Sequence, residues 1–199
     1  MEKNRFMKFQ FLWFLAGLCV MLFVGCVVFP YLLYERKEQP LQFSHKIHNE
    51  TAGMSCENCH AFKDDGRFTG IPTLSKCREC HTDIIGTSPQ EKKLVEEYVK
   101  QNREIPWLVY ARQPQNTYFS HASHVKLANI SCDHCHGPHG TTDSLRAYER
   151  NRISGYSRDI GGSSITGIKS ASWDGMNMND CADCHNKHNI PNTCLKCHK

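Results

Sequence analysis

The sequence predicts a mainly irregular fold with short α-helices wrapped around a set of bound groups, little or no sheet, and one N-terminal transmembrane helix. Three observations predict it. Five copies of Cys-x-x-Cys-His lie between residues 56 and 198, an apolar run fills residues 9–29, and Gly- and Asn-rich stretches at 137–143, 161–167 and 174–180 interrupt the remainder. The run predicts the helix, the motifs predict the bound groups, and the interruptions keep the helices short.

The anchor comes first. From Phe9 to Phe29 only Gln10 is polar, and Pro30 ends the run. About 20 apolar residues suffice to span a bilayer as a helix. Lys3, Arg5 and Lys8 precede it, whereas the mixed charges of Glu35, Arg36, Lys37 and Glu38 follow. The positive-inside rule then makes residues 1–8 a cytoplasmic N-terminus, 9–30 a single-pass inner-membrane anchor, 31–42 a linker and 43–199 a domain in the periplasm or on the outer face. No small-x-small cleavage site follows the run, which argues against a signal peptide. "FVGC" at 23–26 leaves a second reading, a lipoprotein box that would lipidate Cys26, although Phe23 suits its first position poorly. Otherwise Cys19 and Cys26 are lipid-facing or packing residues.

The chain holds 12 Cys and 12 His. Apart from Cys19 and Cys26, every Cys belongs to one of five motifs: Cys56, Cys59 and His60; Cys77, Cys80 and His81; Cys132, Cys135 and His136; Cys181, Cys184 and His185; Cys194, Cys197 and His198. Zinc ribbons explain paired Cys-x-x-Cys but not a His after each one. Disulfides explain an even count but not the repeated triplet. Covalent c-type haem explains both: two thiols add across the vinyl groups of one porphyrin edge, and the adjoining His gives its imidazole to the iron. Five covalently attached haems follow as the cofactors. The domain then becomes a multihaem core in which porphyrin supplies most of the buried apolar surface.

Charge adds little. The formal net charge is +4, and residues 1–8 hold three positive charges against one negative. Ionised haem propionates would make the exported part acidic, so nothing favours nucleic acid as a partner. Along that part the clearest helix is 89–102, started by Pro89, with Leu94, Val95, Tyr98 and Val99 on one stripe. It reads as a packing element. Residues 104–114 read as an extended segment bounded by prolines, whose Trp107, Leu108 and Tyr110 serve core packing or cover a haem edge or partner.

A haem with one proximal His has one axial position left. Seven histidines lie outside the motif-final positions: His45, His48, His121, His124, His134, His139 and His188. His134 sits between the cysteines of its own motif and reads as a bystander. The other six suffice as distal ligands. "FSHKIH" at 43–48 and "FSHASH" at 119–124 each offer two histidines. If both in a pair bind iron, that segment must serve two haems and clasp them together. His139 and His188 follow a proximal His by only three residues, a link of about 10 Å when extended. Each therefore reads as serving a neighbouring haem. Met176 and Met178 are outside candidates for a thioether ligand. The two segments also make a weak internal repeat, the first ahead of two motifs and the second ahead of three.

"FSHKIH" followed by Cys-x-x-Cys-His resembles the class III cytochromes c. That resemblance implies that His45 serves the haem on Cys56 and Cys59, and His48 a different one. Residues 43–199, with "EIPWLVYARQPQNTYFSHASH", "NRISGYSRDI" and "CLKCHK", are similar to the multihaem cytochrome c subunits of alternative complex III and of the related Qrc menaquinone reductase complex. Five motifs match the alternative complex III form better than the six-motif Qrc form. The resemblance implies an electron-transfer subunit of a respiratory-chain complex, beside a periplasmic iron–sulfur subunit and quinone-binding integral membrane subunits, with a soluble cytochrome c as electron partner. The alternatives are a quinol dehydrogenase of the membrane-anchored tetrahaem type and an enzyme like multihaem nitrite reductase. The latter needs an open haem, marked in that family by Lys in place of the motif His, and none of the five motifs has it. The sequence carries no catalytic residue of its own.

Overall fold

A computed structural model describes residues 2–67, 69–111, 116–157 and 171–198. The stretch 161–167, residues 112–114 of the extended segment and Lys199 of the closing motif lie outside these. Helix α1 (Glu2–Phe23) runs through a π-helical turn (Val24–Val28) into α2 (Phe29–Leu33), so the helix passes Pro30 instead of ending there. Proline has no N–H and breaks an ordinary α-ladder. Here the Phe29 N–H bonds Val24 O, one residue further back than in an α-helix, and the widened turn absorbs the defect. The span Met7–Leu33 is long and apolar enough to cross a membrane, with mean hydropathy 2.6 and none of it buried by the rest of the chain.

Strand β1 (Tyr34–Lys37) pairs antiparallel with β2 (Tyr148–Asn151), Tyr34 opposite Asn151 and Lys37 opposite Tyr148. Arg150 adds an ion pair to Glu35 at 2.7 Å, and the Arg152 N–H bonds Leu33 O at 2.8 Å. This is the sheet among the described residues, in keeping with a chain of little sheet.

Side-chain packing is local. Short helices α3 (Cys56–Cys59), α4 (Leu74–Arg78) and α5 (Pro89–Lys93) follow, the last continuing as a π-helical turn over Leu94–Val99. Ser88 starts α5, its hydroxyl accepting from the Gln90 N–H, and Asn102, at φ 47°, stops the helix just past the expected stripe. The stripe Leu94, Val95, Tyr98 and Val99 is buried, and all but Val95 form one cluster with Leu41, Leu74 and Ile105, against which Cys77 and Trp107 pack. Gln39, also buried, bonds Leu108 through both its amide atoms, at 2.8 and 3.1 Å. Trp107 thus serves packing. Few other described side chains are buried.

Beyond the second histidine segment come α6 (Cys132–His136), α7 (Met178–Lys187) and α8 (Cys194–Cys197). The stretch 174–180 is not wholly irregular, since α7 starts inside it. Asp180 Oδ2 accepts the Asn177 N–H at 2.6 Å, so this Asn-x-x-Asp is a helix start. The repeat also extends further than its six-residue core. At an offset of 76, residues 43–60 and 119–136 align without a gap, and nine of the eighteen positions are identical.

Candidate functional site

Four attachment motifs place both thiols within one helix, on the same side of it, and in the second Cys77 lies in α4 while Cys80 follows in the turn after it. The motif His closes that turn in three cases: the N–H groups of His60, His81 and His198 bond the carbonyls of Cys56, Cys77 and Cys194 at 2.9, 2.9 and 2.8 Å. Thiol pair and imidazole are therefore one rigid unit.

The histidine segments supply opposing imidazoles. Phe43 stacks on His48 at 4.2 Å and meets His45 edge-on at 4.9 Å; Phe119 does the same for His124 at 4.4 Å and His121 at 4.8 Å. The phenyl ring thus splays the two histidines of each segment apart. His48 then lies opposite His81 with ring centres 6.2 Å apart and planes tilted by 56°, His121 faces His136 at 6.3 Å and His124 faces His185 at 6.1 Å, both nearly parallel. His45 lies 6.1 Å from His139, tilted by 46°, with His60 also within electrostatic reach.

These spacings test the fit to haem. An iron between two imidazoles, with metal–nitrogen bonds of about 2 Å and about 1.1 Å more to each ring centre, sets the centres about 6.2 Å apart. The pairs have that separation. A ligating imidazole also donates its second N–H to a fixed acceptor. His48, His60, His121 and His124 donate from Nδ1 to the carbonyls of Ser44, Gly70, Arg67 and Ser120, at 2.5–2.9 Å. His81 donates to Glu91 Oε1 at 3.0 Å, His185 to Asn192 Oδ1 at 3.2 Å and His198 to Asn116 O at 3.3 Å. With Nδ1 protonated, Nε2 keeps the lone pair an iron needs. The residues fit the group.

Electrostatics agree. Burial, then His139, His60 and His48, push His45 down to about 4. His136 is exposed as a residue, yet the protein packed around its ring, together with His121 and His139, likewise pushes it down to about 4. Both imidazoles are thus neutral at pH 7, the form that binds metal. Among the described residues no group accepts from or donates to the buried Nδ1 of His45. Burial raises the thiols of Cys59, Cys77, Cys135 and Cys181, so they are protonated until they react.

Other candidates are not brought into such pairs. His134 and His188 lie exposed, as do Met176 and Met178. The sequence reading missed the Nδ1 acceptors. Glu91 looked like one more charge on the polar face of a packing helix, and backbone carbonyls leave no sequence signal.

Repeated thiol-bearing turns joined to paired imidazoles define a multihaem c-type cytochrome. The model of the class III cytochrome c family matches residues 30–106, which include the first histidine segment and the first two motifs. The chain is also 38% identical over 201 aligned residues to "Menaquinone reductase, multiheme cytochrome c subunit" from Nitratidesulfovibrio vulgaris, an alignment covering 94% of this chain and 89% of that one. The chain belongs to this family of multihaem cytochromes c, with a class III fold, and carries covalently bound c-type haems.

Proposed function

We propose that this chain is a membrane-anchored pentahaem cytochrome c that serves as an electron-transfer subunit of a quinone-linked respiratory complex. The observation that carries the reading is the spacing of the imidazole pairs, with His48, His121 and His124 each facing a motif histidine at 6.1–6.3 Å. Haem bound in this way supplies a reversible one-electron iron couple. The chain's own part is to set a second imidazole opposite His81, His136 and His185, so that an iron held between the rings would offer no site for a substrate. Nδ1 hydrogen bonds hold the rings in register, and the ten motif cysteines would hold the porphyrins through thioether bonds. Such a chain relays electrons and does no substrate chemistry of its own.

The related menaquinone reductase subunit supports placement in a complex that exchanges electrons with the quinone pool. Five motifs and the apolar span support five haems held beside the membrane. The partners in this reading are a periplasmic iron–sulfur subunit, quinone-binding integral membrane subunits and a soluble cytochrome c. It puts the haem domain on the periplasmic side of the inner membrane, and with five motifs the alternative complex III type fits best.

Low-temperature EPR of the purified complex, with and without cyanide or nitrite, tests the reading. Low-spin haems that ignore the added ligand are expected at the sites of His81, His136 and His185. A high-spin haem at one of these sites that binds it would overturn the relay and favour an enzyme of the nitrite reductase kind. Intact mass of the chain should show five haems.

A further inference from the structure

We infer that the two histidine-segment halves pack about a pseudo-two-fold axis, and that this fixes the order of attachment sites as Cys77/Cys80, Cys56/Cys59, Cys132/Cys135, Cys181/Cys184, Cys194/Cys197, with the first and last as the ends of the array. The inference deepens the relay reading and rests on it, because it takes each motif as a haem site.

Equivalence of the halves is close in detail. The Ile47–Thr51 and Ser123–Leu127 turns are both π-helical. His48 Nδ1 bonds Ser44 O and His124 Nδ1 bonds Ser120 O, both at 2.8 Å. The Met54 N–H bonds His48 O at 2.9 Å, and the Ile130 N–H bonds His124 O at 3.0 Å. Gly53 and Asn129 both take a left-handed backbone, at φ 66° and 53°. Every one of these residues has its counterpart 76 positions on.

The halves then exchange contacts. The Lys46 N–H bonds Thr142 O at 3.0 Å, and the Ala122 N–H bonds Gly66 O at 2.9 Å. Residues 46 and 122 are equivalent in the repeat, and 66 and 142 keep the same offset and close matching turns, the Gly66 N–H on Lys63 O at 2.8 Å and the Thr142 N–H on His139 O at 3.1 Å. One contact is therefore the two-fold image of the other, as in an isologous dimer interface. A residue on such an axis meets its own counterpart. The Cys56 and Cys132 side chains, equivalent across the repeat, lie close enough to influence each other. The sites at Cys56/Cys59 and Cys132/Cys135 are thus the central pair.

The flanks follow from the clasps. His48 reaches His81, and His45 is the counterpart of His121, which faces His136, so the repeat assigns His45 to His60 and the first segment joins the first and second motifs. His121 faces His136 and His124 faces His185, so the second joins the third and fourth. By equivalence His45 takes His60 as His121 takes His136. His139 has Lys63 as its counterpart and is an extra imidazole between the central sites. The fifth motif docks on the second half: the Tyr118 N–H bonds Cys197 O at 2.7 Å, and Thr117 pairs with His198.

Two measurements on the full-length holo-protein test this. Zero-length carbodiimide coupling and peptide mass spectrometry should link Lys46 to Asp143, whose charged atoms lie 3.9 Å apart across the two halves, within one chain. Lys76 and Glu79, 2.7 Å apart in one half, are the internal control. Control coupling without the Lys46–Asp143 link would overturn the exchange, whatever the haem count. The order is tested by opening one iron at a time. His121→Ala should make the third haem high-spin and broaden the EPR signals of two of the remaining haems, whereas His48→Ala should broaden one. Equal or reversed numbers would overturn the order.

Discussion

His81 differs from its counterparts in what holds its second nitrogen. His48, His60, His121 and His124 donate Nδ1–H to neutral carbonyls, but His81 donates to the Glu91 carboxylate. Burial pushes Glu91 up, yet N–H groups of Ile85 and Gly86 and the His81 ring outweigh it, and its pKa falls below the ordinary 4.5. An anionic acceptor raises the basicity of a ligating imidazole and favours ferric iron. Glu91→Gln should therefore raise the midpoint potential of the haem on Cys77/Cys80, on the order of tens of millivolts, in a spectroelectrochemical titration. The sign with pH is also set. A carboxylate held low contributes stability above its ordinary pKa and loses it as pH falls through the lowered value. Wild type and Glu91→Gln should therefore converge in stability in acid titrations monitored by circular dichroism. His48→Met should alter the spectrum of the Cys77/Cys80 haem and leave the Cys56/Cys59 haem unchanged. A change confined to the latter would break the clasp between the first two sites.

Among the elements, the loop after the first motif bears on both halves. Gly66 has φ +67°, and a Cβ there would lie 2.9 Å from Ala122 Cβ, where the loop's carbonyl meets the second histidine segment. Gly53 has nearly the same φ, +66°, with nothing within 4 Å of such a Cβ. Backbone strain of about 1–2 kcal/mol is common to both alanine variants. Only Gly66→Ala adds the clash. Gly53→Ala should lower Tm by about 2–8 °C, and Gly66→Ala by clearly more, measured by thermal unfolding of the holo-protein; equal losses would mean that the loop yields freely. Elements of this kind were unevenly legible. The Leu94, Val95, Tyr98 and Val99 stripe could be read because helical periodicity is local. Each Phe-Ser-His-x-x-His also suggested a clasp, since one iron has one vacant position, and that reading stays a proposal. Which imidazoles meet was not legible, because His48 and His81, or His124 and His185, are brought together by folding over long separations. The start of α7 was missed for a different reason: Asn and Asp favour both loops and helix caps, and the sequence alone did not choose between them.

For the whole molecule, the apolar helix and the haem domain meet at the two-stranded sheet. The chain leaves the apolar span at Leu33 and enters β1 at once, so four residues of the stretch beyond it are tied to β2. An isolated strand pair is marginal by itself. Here Arg150 and Glu35 pair across it at 2.7 Å, and the Arg152 N–H caps Leu33 O, so helix end and sheet support each other. Two truncations, each exported behind a cleavable signal sequence, separate anchoring from folding. A chain starting at Tyr34 loses the span but keeps β1, and should be soluble with the haem spectrum of the full-length protein. A chain starting at Glu38 loses β1 as well, leaving the β2 edge unpaired. It should retain its haems, since no attachment residue lies before Cys56, but unfold at a Tm lower by several degrees, about 1–2 kcal/mol of stability. Equal Tm values for the two would mean that the sheet contributes nothing. Residual membrane binding by the Tyr34 form would show that the haem domain has a membrane-facing surface beyond the helix.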